Sequence, residues 1–203
     1  MLAKARAEAT VAAVVLAAGA SSRMGQAKQL LDLGGRSLVR HAAEIAAAAR
    51  CSPVVVVVGA QAELVRAELV GLGARIVENP AWREGLSTSV HCGIRALPDT
   101  TEAVILMLCD QPAVSSALLE EMQQTQRKTG EQIVACRYGD VLGAPVLFRR
   151  ERFPALLALA GDEGARALVA QAGADVATVD FADGAFDVDT PNDWARWQAH
   201  RGA

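Results

Sequence analysis

Short apolar runs that alternate with helical segments are the feature of this sequence that most constrains its fold. Five consecutive valines, Val54–Val58, form one run, and Val11–Leu16 and Ala103–Leu108 are similar. Continuous apolar runs of this length are typical of strands covered on both faces. Between them, Ser37–Ala49 and Ser115–Thr129 carry apolar side chains at helical spacing. Repeated β-then-α units predict a three-layer α/β fold with a mostly parallel sheet.

The rest of the chain continues this alternation. The other predicted strands are Arg75–Val77, Ile133–Cys136, Val146–Phe148 and Val176–Val179. The other predicted helices are Ala62–Val70, Ser87–Leu97, Glu151–Leu159, Ala165–Ala172 and Thr190–Ala199. Ligands of such sheets bind outside the carboxyl ends of the strands. The residues that follow Leu16, Val58, Leu108 and Val179 are therefore the candidates for a site.

Composition narrows the classes of function. Hydrophobic residues make up 52% of the 203 residues, which predicts one domain over residues 1–203 with residues 1–9 as a flexible N-terminal extension. A signal peptide is the alternative interpretation of the N-terminus. A net charge of −3 argues against nucleic acid as a partner, and no apolar run is long enough to cross a membrane. Four cysteines without a C-x-x-C pair predict buried thiols in the cytoplasm.

The loop after the first strand, Leu16–Lys28, has the composition of a phosphate-binding turn. It combines small residues, glycines and hydroxyls with Arg23 and Lys28. Small residues let the backbone approach a ligand closely, and the two cations can hold phosphate oxygens. The spacing of the lysine is not that of a P-loop, nor is the loop a G-x-G-x-x-G turn. An ordinary turn with surface cations remains the alternative.

Two aspartates stand where strands and helices meet. Asp110 follows the buried strand that ends at Leu108, and Asp189 precedes the last predicted helix. Either could cap a turn or helix, and either could bind a hard cation such as Mg²⁺, which prefers oxygen ligands. Asp187 lies on the same side of an extended segment as Asp189 and is a reserve candidate for the metal.

Several motifs in a fixed order are more specific than the loop alone. Residues 17–28 read A-A-G-A-S-S-R-M-G-Q-A-K, and further motifs occupy residues 78–82, 85–90, 108–112, 143–145, 161–166 and 187–191. In this order they resemble the nucleotidyltransferase family related to molybdenum cofactor biosynthesis, over about residues 10–198. The resemblance implies a Rossmann-like sheet of the nucleotide-diphospho-sugar transferase type.

The resemblance also implies an activity and a site. It implies an enzyme that transfers CMP from CTP to the phosphate of molybdopterin or molybdenum cofactor, with Mg²⁺ as cofactor. Asp110 and Asp189 would bind the metal, and Arg23, Lys28 and Asp110 would be catalytic. The implied nucleotide-binding residues are Leu16, Ala17, Ala18, Gly19, Arg23, Lys28, Ser89 and Asp110. A molybdoenzyme client or its maturation factor would be the protein partner.

The same family pattern bears on the base and on the acceptor. Ala18 and Ala27 stand where guanylyl-transferring relatives favour a glycine and an acidic residue, which favours cytidine. Residues 143–145 and 161–166 resemble the acceptor side. Three alternatives remain: a GTP-dependent enzyme, an alditol- or sugar-phosphate nucleotidyltransferase, and a molybdopterin carrier without catalysis.

Overall fold

A seven-stranded sheet organises the chain in a computed structural model, which describes residues 10–201. The strands are β1 Val11–Ala17, β2 Val54–Val58, β3 Arg75–Glu78, β4 Ala103–Leu108, β5 Ile133–Tyr138, β6 Val141–Arg149 and β7 Ala177–Asp180. Their order is β3-β2-β1-β4-β6-β5-β7. Only β6 is antiparallel to its neighbours, β4 and β5, so the prediction of a mostly parallel sheet is confirmed. The predicted extension, residues 1–9, lies outside the described residues.

Helices cover both faces of this sheet. They are α1 Leu38–Ala48, α2 Ala62–Glu68, α3 Leu86–Arg95, α4 Ser116–Thr129, α5 Phe153–Leu156, α6 Ala165–Ala172 and α7 Pro191–Arg201. Alternate residues of β1 face two separate cores: Ala13 and Val15 pack with α1, α2 and α4, whereas Val14 and Leu16 pack with α3, α5 and α6. The three-layer α/β prediction is confirmed. No helix within residues 10–201 is both long and apolar enough to cross a membrane.

The hairpin of β5 and β6 departs from the sequence prediction. The sequence predicts a short strand at Val146–Phe148, which begins after Gly143-Ala144-Pro145. The structure instead runs β6 through this segment, and the register shifts between Ala135, opposite Val146, and Cys136, opposite Gly143. Ala144 and Pro145 therefore occupy a bulge, where a residue without an N–H group is tolerated.

Two tryptophans, Trp194 and Trp197, lie three residues apart on the last helix, a spacing that predicts docking of this helix against the sheet. Trp194 and Trp197 pack instead on a small separate core of five residues, none of which belongs to a strand. These residues are Met24, Leu31, Leu33, Leu38 and Val188. The tryptophans thus cover apolar residues in and after the phosphate loop, and the expectation of docking against the sheet is wrong because the core that they join lies outside the sheet.

Replacing the N-cap of α4 is expected to cost measurable stability. The sequence offers Ser115 and Ser116 as caps, and the structure selects Ser115, whose Oγ accepts a hydrogen bond from the Leu118 N–H at 3.2 Å. Ser115→Ala should lower the free energy of unfolding by about 1 kcal/mol, measured by urea denaturation. Ser116→Ala is the matched control, because Ser116 lies inside the helix. An equal loss in both variants would contradict the role of the cap.

Candidate active site

The loop after β1 is held by a buried glutamine. The side chain of Gln29 donates from Nε2 to the carbonyl oxygens of Ala17 at 3.1 Å and Gly19 at 2.7 Å. Its Oε1 accepts from the Ser21 hydroxyl, whose oxygen in turn accepts from the Lys28 N–H, each at 3.1 Å. Because these bonds join both ends of the loop, Lys28 is held against the carboxyl end of the sheet.

Four charged side chains meet at this end of the sheet, and we call them the ion cluster: Arg23, Lys28, Asp110 and Asp189. Lys28 Nζ contacts Asp110 Oδ2 and lies 2.8 Å from Asp189 Oδ1. Arg23 Nη2 lies 2.9 Å from the other oxygen of Asp189. The side chains of Lys28 and Asp110 are only 16% and 12% exposed, whereas that of Arg23 is 72% exposed. Two positive and two negative charges cancel within the cluster.

Backbone and capping contacts bring the two aspartates together. Asp110 follows β4, the neighbour of β1, and its carbonyl oxygen accepts from the Val188 N–H at 2.9 Å. The cap at the start of α7 is Thr190, whose hydroxyl oxygen accepts from the Asp193 N–H while Asp193 Oδ2 accepts from the Thr190 N–H. Asp189 is therefore left to the ion cluster, and the alternative in which it caps the helix does not apply.

Electrostatics set the protonation of the groups around Asp110. Burial acts to lower the pKa of Lys28, but the charge of Asp110 and hydrogen bonds to Asp110 and Asp189 outweigh it, so the pKa is raised and Lys28 is a cation. Burial raises the pKa of the adjacent Cys109 thiol to about 12. A neutral, buried thiol is a poor nucleophile, so Cys109 is a packing residue.

The carboxylates fit a divalent metal of the magnesium type. Asp110 Oδ1 is buried and has no hydrogen-bond partner among residues 10–201, which leaves a lone pair for a cation. Within the same range no group of three or more His, Cys, Asp or Glu side chains could hold a metal. Magnesium is commonly held by one or two carboxylates together with water and substrate phosphates, so Asp110 and Asp189 suit it.

A cleft of about 390 Å³ opens beside the phosphate loop. Its lining residues are Ala18, Gly19, Ala20, Trp82, Arg83, Gly85, Leu86, Ser89 and Asp162. Two clefts of about 460 and 480 Å³ lie elsewhere, so volume alone does not select the site. The neighbouring loop does select it, because Ala18 and Gly19 belong both to this cleft and to the candidate phosphate-binding segment.

The predicted nucleotide-binding residues occupy different environments. Ala18, Gly19 and Ser89 line the cleft, and Arg23, Lys28 and Asp110 belong to the ion cluster. Leu16 and Ala17 end β1 with side chains buried in the two cores, so only their backbone is available to a ligand.

Three buried amide side chains were missed by sequence reasoning. Gln29 holds the phosphate loop, and Asn79 donates to the hydroxyls of Thr88 and Ser89 at 2.8 and 2.9 Å. Gln111 donates to Asp187 at 3.0 Å, so one oxygen of this carboxylate, the reserve candidate for the metal, already accepts a hydrogen bond from the protein. A polar residue at an apolar position, as in Gln29-Leu30-Leu31, was the available signal. The sequence does not show which groups such a side chain bonds.

The fold and the ion cluster define the class of protein as a nucleotidyltransferase-like α/β domain. The family model described as the MobA-like NTP transferase domain matches residues 13–176, and the chain belongs to this family. The predicted nucleotidyltransferase family and its nucleotide-diphospho-sugar transferase fold are thereby confirmed.

Three relatives cover most of the chain. Nicotine blue oxidoreductase of Paenarthrobacter nicotinovorans is 33% identical over 191 residues, which are 89% of this chain and 92% of that protein. Purine catabolism protein PucB of Bacillus subtilis is 29% identical, with the same shares of each chain. The crystal structure of Rv0371c from Mycobacterium tuberculosis has a TM-score of 0.82 at 32% identity and covers 94% of this chain and 99% of that one. A second Rv0371c structure is a manganese complex, with a TM-score of 0.76 at 30% identity over 92% of this chain and 97% of that one.

Proposed function

We propose that this protein transfers CMP from CTP to the phosphate of molybdopterin or molybdenum cofactor, with Mg²⁺ as cofactor, and releases pyrophosphate. The observation that carries the proposal is the ion cluster, in which two cations suited to phosphates and two carboxylates suited to a metal meet beside a cleft. The cleft volume of about 390 Å³ lies within the range of small-molecule sites. Membership of the MobA-like family and the manganese complex of Rv0371c support the same conclusion.

Binding of the triphosphate exchanges partners within the ion cluster. Lys28 and Arg23 leave the carboxylates of Asp110 and Asp189 and hold phosphate oxygens, Arg23 as a two-pronged donor and Lys28 as a compact charge. Asp110 and Asp189 would then hold Mg²⁺, which when bound neutralises phosphate charge and orients the triphosphate. Arg23 is well placed for this movement because its side chain is largely exposed.

The transfer itself is an in-line displacement at the α-phosphorus. An oxygen of the acceptor phosphate forms the new bond while the bond from the α-phosphorus to the bridging oxygen breaks, and pyrophosphate leaves with that electron pair. Lys28 and Arg23 stabilise the charge on the leaving group. The acceptor phosphate is already ionised at neutral pH, so no strong general base is required.

The alternatives share the site and differ in the ligand. A GTP-dependent enzyme or an alditol- or sugar-phosphate nucleotidyltransferase would use the same ion cluster, and a molybdopterin carrier would bind without turnover. The name of one relative, nicotine blue oxidoreductase, favours a further candidate, an oxidoreductase. Against it, the sequence contains no G-x-G-x-x-G motif.

Pyrophosphate release distinguishes these candidates. The protein with Mg²⁺ and molybdenum cofactor is expected to release pyrophosphate with CTP and not with GTP, ATP or UTP. Release with GTP in place of CTP would change the assigned base from cytosine to guanine. Release only with an alditol or sugar phosphate would change the assigned acceptor. Nucleotide binding without release under any of these conditions would favour the carrier. Consumption of NADH or NADPH with nicotine blue, without pyrophosphate release, would replace the proposal with the oxidoreductase.

A further inference from the structure

Two segments that are far apart in the sequence form one wall of the cleft. Gly85 has a φ of +118°, and a Cβ built on it would lie 2.2 Å from the Gly161 carbonyl oxygen. The same oxygen accepts from the Ser87 N–H at 3.0 Å. A Cβ on Gly164 would lie 2.7 Å from the Leu86 side chain. The segment 161–164, which resembles the acceptor side, is thus packed directly on the segment that carries Ser89.

This packing places a carboxylate in the cleft. Asp162 lines it together with Ala18 and Ser89. Its side chain is exposed and makes no hydrogen bond or ion pair with another residue of the described range 10–201. A carboxylate that no protein group neutralises, on the wall of a ligand cleft, is available to a donor from the ligand.

A guanidinium lies in the same cleft. Arg83 stacks over the Trp82 ring, with its Cζ 4.1 Å from the ring centroid. Both residues line the cleft with Asp162. Stacking limits the orientations of the Arg83 plane, which offers only donors, whereas Asp162 offers only acceptors. The cleft therefore presents a charged acceptor, Asp162, and a charged donor, Arg83, to a flat polar ligand.

We propose that Asp162 selects nucleoside triphosphates whose base carries an exocyclic amino group. A carboxylate accepts from the N4 amino group of cytosine, whereas uracil presents a carbonyl oxygen at that position, which a carboxylate repels. Arg83 donates to the acceptor atoms of the same base edge. The inference rests on the proposed function only in assigning the cleft to the base of the nucleotide.

Gly85 is a positioning residue in this arrangement. Any side chain at Gly85 would displace the peptide that joins Gly161 to Asp162, because the Cβ position overlaps backbone atoms that cannot rotate away. Gly85→Ala should therefore weaken selection by moving the Asp162 carboxylate, without changing the charge of the cleft.

The test measures binding of matched nucleotide pairs with Mg²⁺ by isothermal titration calorimetry. CTP and UTP differ by an amino group in place of a carbonyl, and GTP and ITP differ by the presence of an amino group. Wild-type protein is expected to bind CTP more tightly than UTP or, if it takes a purine, GTP more tightly than ITP. Asp162→Asn, whose amide can both donate and accept, should reduce that preference about tenfold. Asp175→Asn, at an exposed position in the turn after α6, is the matched control.

Gly85→Ala adds a readout that a structural role alone would not produce. It should raise the KM for CTP more than it lowers kcat, and it should reduce the preference for CTP over UTP. The double variant Gly85→Ala with Asp162→Asn should lose no more of the preference for CTP over UTP than Asp162→Asn loses alone. Circular dichroism checks that the variants are folded; Asp162→Asn changes an exposed side chain and decides the question even where Gly85→Ala does not fold.

An unchanged CTP-to-UTP ratio in folded Asp162→Asn protein would overturn the inference, as would equal binding of both members of each pair by wild-type protein. Selective binding that depends on Asp162 but occurs without pyrophosphate release would retain the inference and reject the proposed transfer. Pyrophosphate release with a nucleotide preference that Asp162→Asn does not change would retain the proposed transfer and reject the inference.

Discussion

Asp110→Ala is expected to lower the rate of pyrophosphate release by about a thousandfold, since such losses follow removal of a group that stabilises transition-state charge. Asp110 is the more buried of the two carboxylates, and its Oδ1 has no partner within the described part of the chain. Its loss removes one of the two proposed metal ligands. The fold should survive, because Lys28 keeps Asp189 as a partner and is not left as an isolated buried charge.

A carboxylate of the same type serves as the control for this variant. Asp180 lies on β7, is exposed and pairs with Arg137 at 2.7 Å, away from the ion cluster. Asp180→Ala should release pyrophosphate at the wild-type rate. Thermal melting followed by circular dichroism checks that Asp110→Ala is folded. Near wild-type turnover by folded Asp110→Ala protein would remove Asp110 from the site.

Lys28→Met is expected to have the second largest effect, on both catalysis and metal binding. Without the cation, the KM for CTP should rise and kcat should fall, with kcat/KM reduced by about a hundredfold or more. In the free protein, Lys28 neutralises Asp110 and Asp189. Its removal takes the cation away from Asp110 and leaves Asp189 with Arg23, at a cost of about 2 kcal/mol after allowance for partial exposure.

The same substitution should make the protein respond to metal alone. With Lys28 gone, the largely exposed Arg23 is the one cation of the ion cluster that still competes with Mg²⁺ for the carboxylates, so Mg²⁺ should raise the melting temperature of Lys28→Met without nucleotide more than that of wild-type protein. Lys128→Met, at the exposed end of α4, is the matched control. If Lys28→Met kept wild-type kinetics and showed no extra stabilisation by Mg²⁺, Lys28 would not be the counter-ion of these carboxylates.

Most of the sheet could be predicted because its strands carry their own signal. Val54–Val58 and Ala103–Leu108 have the predicted bounds, and α4, Ser116–Thr129, starts one residue after the start of the predicted helix and ends where it ends. The extent of β6 could not be predicted. Its segment Gly143–Pro145 has the local chemistry of a loop, and only pairing with β5 on both sides of the bulge carries the strand through it.

The candidate site was predictable in its residue types and less so in its contacts. Arg23, Lys28, Asp110 and Asp189 stood out as charged residues at the ends of apolar segments, and the structure brings all four together. Whether Asp189 caps a helix or joins the cluster could not be decided from the sequence, since Thr190 is an equally good cap.

The sequence by itself determined the α/β class, the near-complete set of strands and helices, and the identity of the charged loop. These features depend on the periodicity of apolar residues and on residue types whose structural preferences are local to the chain. Tertiary structure alone decided that Lys28 joins two carboxylates, that Asn79 holds Ser89, and that Gly161 fills the space beside Gly85. Each of these contacts depends on how separate elements pack at the carboxyl end of the sheet, and the distances between their atoms are set by that packing and not by spacing along the chain.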